Sequence, residues 1–212
     1  MKLHKPTRRE VVERCIAGGF LVAGVPLASS NLLAMWEESE AAALQPTPAE
    51  VLGPFFRKGA PHVIVLRAKG DPGFPLGVEG KVVNTRGEKV PEAKIEIWQA
   101  DHHGRYDVQG YKYRTQLITG QEASYAVETV MPGHYSDRPA QHVHYMITAP
   151  GHKTLITQLY FATDPFFEGN PDKHFNKQKI VDNRELIRPV LLFERPGAAH
   201  AQVNFDICME KA

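Results

Sequence analysis

At 212 residues, 42% hydrophobic and 23% charged, the chain has the length and composition of one ordinary globular domain with a short appendage. A net charge of +1, with no polybasic patch and no acidic tract, gives no argument for a nucleic-acid partner. Two cysteines, Cys15 and Cys208, are too few for a disulfide framework.

The N-terminus stands apart. Thr7, Arg8, Arg9, Glu10, Val11 and Val12 lead into an apolar, glycine-rich run of 14 residues, 15–28, closed by Ser29 and Ser30. A basic start, a short apolar core and small residues predict an export signal over residues 1–34. The arginine pair points to the twin-arginine type. The core is too short for a comfortable membrane span, so membrane contact is expected only during export to a periplasmic or extracellular destination. Cleavage would remove five basic and two acidic side chains, take the net charge from +1 to −2, and leave Cys208 as the single cysteine. The other reading of this segment is an uncleaved helix that packs on a partner.

Residues 35–60 read as an N-terminal arm or linker, rich in Ala, Glu and Pro over 37–48. From residue 61 to 212 the strand signals are short and frequent. Residues 63–66 are the first, and 77–83 the second, closed by a turn at Asn84, Thr85, Arg86 and Gly87. Residues 93–98 alternate apolar and charged, as a half-buried strand does. Strands are further expected at 125–130, 142–148, 155–161, 190–193 and 203–207, with Pro or Gly in nearly every gap. Residues 162–188 contain Pro165, Gly169 and Pro171 and predict at most one helical turn. The pattern predicts an all-β, two-sheet β-sandwich.

Within it, Tyr106, Tyr135, His142 and His144 form a candidate metal-ligand set. A phenol has an ordinary pKa of about 10, so tyrosine ligates only a strongly acidic cation that drives off its proton. Fe(3+) is such a cation; two phenolates cancel two of its charges, and two neutral imidazoles leave room for substrate. His142 and His144 are two apart, so on a strand both imidazoles point the same way, with Val143, Tyr145 and Ile147 on the opposite face. Alone, the histidine pair would serve zinc or copper as well; the tyrosines direct the choice to iron. Tyr111 and Tyr113 are rivals to Tyr106, His102 and His103 read as solvated turn residues, and His134 is expected to point away from the metal.

The same stretches resemble the intradiol ring-cleavage dioxygenases. Trp98-Gln99-Ala100 with Gly104-Arg105-Tyr106, Pro132-Gly133-His134-Tyr135, Arg138-Pro139-Ala140-Gln141-His142-Val143-His144, Thr157-Gln158-Leu159-Tyr160-Phe161 and Gly53-Pro54-Phe55-Phe56 match that family's elements in order. The family pattern is Arg-Pro-Ala-His; here Gln141 intervenes, so Arg138 stands four residues before His142 rather than three. The resemblance implies a transthyretin-like sandwich, a ferric ion held by the four residues above, and a catechol-type substrate cleaved with O2 to a cis,cis-muconate-type diacid. It implies that Tyr135 leaves the ion and accepts a proton while Tyr106 stays. Arg138 would stabilise negative charge on the ring, Gln158 would line the pocket, and a homo-oligomer is compatible with the family. Two other classes fit the bare residues: a secreted transthyretin-like binding sandwich without catalysis, and a copper- or zinc-binding sandwich using the two histidines.

Overall fold

The computed structural model describes residues 43–135, 137–194 and 199–212. The expected export signal at 1–34, and the arm up to residue 42, lie outside the described residues.

The strands are β1 (Pro75–Asn84), β2 (Lys94–Gln99), β3 (Arg114–Ile118), β4 (Ser124–Val130), β5 (His142–Thr148), β6 (Leu155–Phe161), β7 (Ile187–Arg188), β8 (Leu191–Phe193), β9 (His200–Asn204) and β10 (Ile207–Met209). They form the expected two sheets. In one, β1 pairs antiparallel with β4 and parallel with β9 and β10, and β8 adds beyond β9. The other runs β3-β2-β5-β6-β7. Between β6 and β7 lie one α-helical turn, α1 (Pro171–His174), capped by the Asn170 side chain, and three 3-10 turns, Pro165–Phe167, Lys177–Lys179 and Arg184–Leu186, more than the one turn expected there.

The alternation read from the sequence sets the packing. Val143, Tyr145, Ile147, Leu159 and Phe161 are buried. Tyr145 meets Tyr125 of β4 and Phe205 of the β9–β10 connection, which marks this as the face between the sheets. Each such side chain contributes about 1.5–3 kcal/mol by leaving water. Period 2 then sends His142, His144, Gln158 and Tyr160 to the outer face. The register places His142 opposite Tyr160 and His144 opposite Gln158.

An outer sheet face is normally solvated, yet these four residues are buried. The described part of the arm is one reason. It crosses from one sheet to the other through hydrogen bonds Leu44 N–H to Thr85 O, Thr47 N–H to Cys208 O and Glu50 N–H to Ile156 O. Beyond Glu50 it lies over β6, where Gln158 Nε2 donates to the Val51 carbonyl at 2.9 Å.

Three strand expectations need correction. Residues 63–66 make only one bridge, Val65 to Glu128, and Val63, Ile64 and Val65 are exposed. This segment spans the gap between the sheets: Val63 bonds Thr115 of β3, while Ile64 and Leu66 bond Glu128 of β4, so it cannot extend a ladder on either. Residues 203–207 are not one strand. The chain leaves the ladder at Phe205 and Asp206, where the Asp206 carboxylate takes the Lys81 N–H, and resumes as β10 in the same register along β1. Strand β3 was not anticipated; Arg114, Thr115 and Gln116 hide its apolar alternation.

Candidate metal centre

Two loops and one strand bring the predicted donors together. His142 and His144 stand on β5. Tyr106 follows β2 in a loop turned at Gly104, whose φ is +77°. A Cβ at Gly104 would lie 2.0 Å from the His134 carbonyl, so only glycine lets the Tyr106 loop approach the Tyr135 loop this closely. The two loops share the Asp101 carbonyl, which accepts from the Gly104 and Gly133 N–H groups.

The donor atoms converge. Tyr106 Oη lies 3.1 Å from His144 Nε2 and 3.5 Å from His142 Nε2, and Tyr135 Oη lies 3.3 Å from His142 Nε2. Ligands about 2.0–2.1 Å from one ion occupy neighbouring vertices roughly 2.8–3.5 Å apart, so the spacing suits a shared cation. His142 Nδ1–H donates to the Ala140 carbonyl at 2.7 Å, which fixes the tautomer and turns the Nε2 lone pair toward the tyrosines. His144 Nδ1 is buried without a partner. Its ring is held instead by stacking on Trp98, 4.9 Å and 3° apart, and by Gly53 at φ +73°, where a Cβ would lie 3.3 Å from His144 Cε1.

Burial sets the protonation of the four candidate donors. Burial lowers His142 to about 4. Burial, then the neighbouring His142, depresses His144 well below its ordinary range. Both imidazoles are therefore neutral ligands at pH 7. Burial raises the Tyr106 phenol, with Tyr135 adding to it, and burial raises Tyr135 as well. Left to themselves both phenols stay protonated; a highly charged cation at their oxygens reverses that preference. Among the described residues no group of three His, Cys, Asp or Glu could hold a metal; at this site the two histidines are joined by the two tyrosine oxygens.

Around the donors lies a second set of contacts. Arg138 Nη2 donates to Gln158 Oε1 at 2.8 Å and to Tyr160 Oη at 2.6 Å, and Tyr160 donates to Gln158 Oε1 at 2.9 Å. Arg138 thus reaches the outer face beside the donors despite the extra residue. The loop absorbs Gln141 by tying its N–H to Asp164 Oδ2 at 2.6 Å and its Nε2 to the Pro132 carbonyl at 2.7 Å. His134 also binds Asp164, at 2.8 Å, and so points away from the metal site as expected. Sequence reasoning gave no role to Tyr160, Arg114 or Asp164. Tyr160 was findable, two residues beyond Gln158 on one strand; Arg114 and Asp164 carry no local signal. Phe55 of the arm stacks on Tyr106 at 4.2 Å and meets Tyr135 edge-on at 6.3 Å.

Two half-buried tyrosines and two buried histidines thus meet on the outer face of one sheet of a β-sandwich, and known proteins share this fold. A family model described as Dioxygenase matches residues 51–211. The hydroxyquinol 1,2-dioxygenase of Nocardioides simplex is 36% identical over 91% of this chain and 73% of its own length. The catechol 1,2-dioxygenase of Acinetobacter baylyi is 30% identical over 66% of this chain, which spans 55% of that relative's length. The dioxygenase domain of a dioxygenase–carbohydrate-binding fusion from Streptomyces sp. SirexAA-E superposes with a TM-score of 0.66 at 29% identity, covering 79% of this chain and all of that domain. Catechol 1,2-dioxygenase from Acinetobacter radioresistens shares the fold, with a TM-score of 0.68, at 22% identity over 87% of this chain and 69% of that chain. The chain belongs to the intradiol ring-cleavage dioxygenase family.

Proposed function

We propose that this protein is a non-haem Fe(III) intradiol dioxygenase that cleaves a catechol-type ring between its two hydroxyl-bearing carbons. O2 is the second substrate, and a cis,cis-muconate-type diacid is the product. The observation that carries the reading is the convergence of two phenol oxygens and two imidazole nitrogens, with neighbouring separations of 3.1–3.5 Å. Bound ferric iron would supply the Lewis-acid and one-electron character that makes a catecholate reactive toward O2.

The chain's own residues supply the rest. Tyr106, His142 and His144 would hold the ion throughout. Tyr135 stands on a loop, is less enclosed than Tyr106, and lies within the field of Arg138. Its Oη would be the donor to give way to substrate and take a catechol proton. Arg138, fixed by Gln158 and Tyr160, places positive charge where negative charge develops on the ring, a form of preorganised stabilisation. Phe55, stacked on Tyr106, shields that ligand from water.

The test is the visible spectrum and iron content of the purified protein, before and after anaerobic catechol. A broad tyrosinate-to-iron band that moves to longer wavelength with catechol is expected. A protein that stays colourless after Fe(III) loading would remove the tyrosines from the metal and restore the non-catalytic or two-histidine alternatives.

A further inference from the structure

Arg114 lies on β3, outside every motif, and is 2% exposed. Its guanidinium joins two segments that meet at Tyr106. Nη1 donates to the Phe55 carbonyl at 2.6 Å and Nη2 to the Asp107 carbonyl at 3.0 Å. Phe55 is the ring stacked on Tyr106, and Asp107 follows Tyr106 in the chain.

This cation has carbonyl partners only. Among the described residues no carboxylate lies within ion-pair range of it. The nearby Asp107 carboxylate is committed to the N–H groups of Gln109, Gly110 and Lys112. Arg114 Nε is buried without a partner. Burying a guanidinium without a carboxylate is costly, and a Met or Gln would fill a structural position at lower cost.

We propose that Arg114 is a positioning residue for Tyr106: its fork clamps the Phe55 segment of the arm onto the Tyr106 loop. The proposal rests on the ferric reading given above. A planar fork can hold two carbonyls in fixed directions, which a lysine ammonium cannot do. The clamp therefore fixes both the direction of Tyr106 Oη and the aromatic cover over its ring.

The test compares wild type with Arg114→Gln and Arg114→Lys, reading the ferric charge-transfer band and iron affinity by chelator competition. Arg114→Gln is expected to lower iron affinity roughly 10- to 100-fold, the range for partners that orient metal ligands, and to shift the band. Arg114→Lys is expected to lose affinity much as Arg114→Gln does, because it keeps the charge and loses the fork. Should Arg114→Gln fail to fold, Phe55→Leu removes the stacked ring without touching a buried charge, and a loss of about tenfold is expected. A folded Arg114→Gln with wild-type band and affinity would overturn the proposal; if only Phe55→Leu folds, wild-type values in that variant would do so. A colourless wild type would instead overturn the ferric reading itself.

Discussion

Arg138 illustrates how a single side chain is aimed. One nitrogen, Nη2, serves both Gln158 Oε1 and Tyr160 Oη, and those two residues also bond each other. The triangle leaves the guanidinium little rotational freedom, although the chain around it carries an extra residue. Its Nε is buried without a partner. Replacing Arg138 by Gln should leave iron and colour in place and lower kcat by about 10²–10³-fold, the cost of removing one preorganised charge-stabilising donor. Measured kcat within a few-fold of wild type, at equal iron content, would show that Arg138 serves the fold alone. Gln158 and Tyr160 stay bonded to one another in that variant, which limits collateral damage to β6.

At the scale of elements, the arm and the β5–β6 pair make the site together. The pair was legible: alternation from 142 to 148 and from 155 to 161 fixes which side chains share a face, and the register then sets His144 against Gln158. The four donors were legible too, because each sits in a short run with recognisable neighbours. The arm's role was not. Its composition reads as a linker, and nothing local says that Phe55 stacks on Tyr106 or that Val51 accepts from Gln158. Arg114 and Asp164 escaped for the same reason: their partners lie 59 and 23 residues away along the chain. The bridging segment at 63–66 misled in the opposite sense, since its apolar β-branched run has strand propensity but no free ladder to join. Gly53 gives the arm a sharp test. Its φ is +73° and its Cα faces His144 Cε1. Gly53→Ala should cost about 1–2 kcal/mol in backbone strain alone, lowering Tm by roughly 2–8 °C. It should also weaken iron binding by pressing on His144. A lowered Tm with unchanged iron affinity would mean that the arm covers the site without shaping it.

For the molecule as a whole, the candidate metal site should also make stability depend on pH. His142 is held down to about 4, and His144 lies well below its ordinary range, both chiefly by burial. In an unfolded chain each would titrate near about 6.5. Between those values the unfolded chain binds more protons than the folded one, so stability is fully present above about 6.5 and is lost as pH falls. Each histidine then removes about 1.4 kcal/mol per pH unit through that window. Glu50 works against this, because burial raises its carboxyl and lets the folded state take up a proton first. It is a single, half-buried group and offsets only part of the two imidazoles. The depressed carboxyls of Asp71 and Asp107 enter only at lower pH, below the ordinary carboxylate range. Acidifying the chelator-stripped protein from pH 7 to 5 should therefore lower its urea midpoint steadily, corresponding to a loss of roughly several kcal/mol of unfolding free energy, a large share of the roughly 5–15 kcal/mol typical of a domain. Fe(III) needs the same imidazoles neutral and the same phenols deprotonated, so the loaded protein should be more stable than the stripped one at pH 7 and should lose that advantage with its colour as protons compete for the donors. A stripped protein whose midpoint is flat from pH 7 to 5 would mean that water reaches the outer face of β5, and that the cover formed by the arm and the two tyrosine loops closes only when the ion is bound.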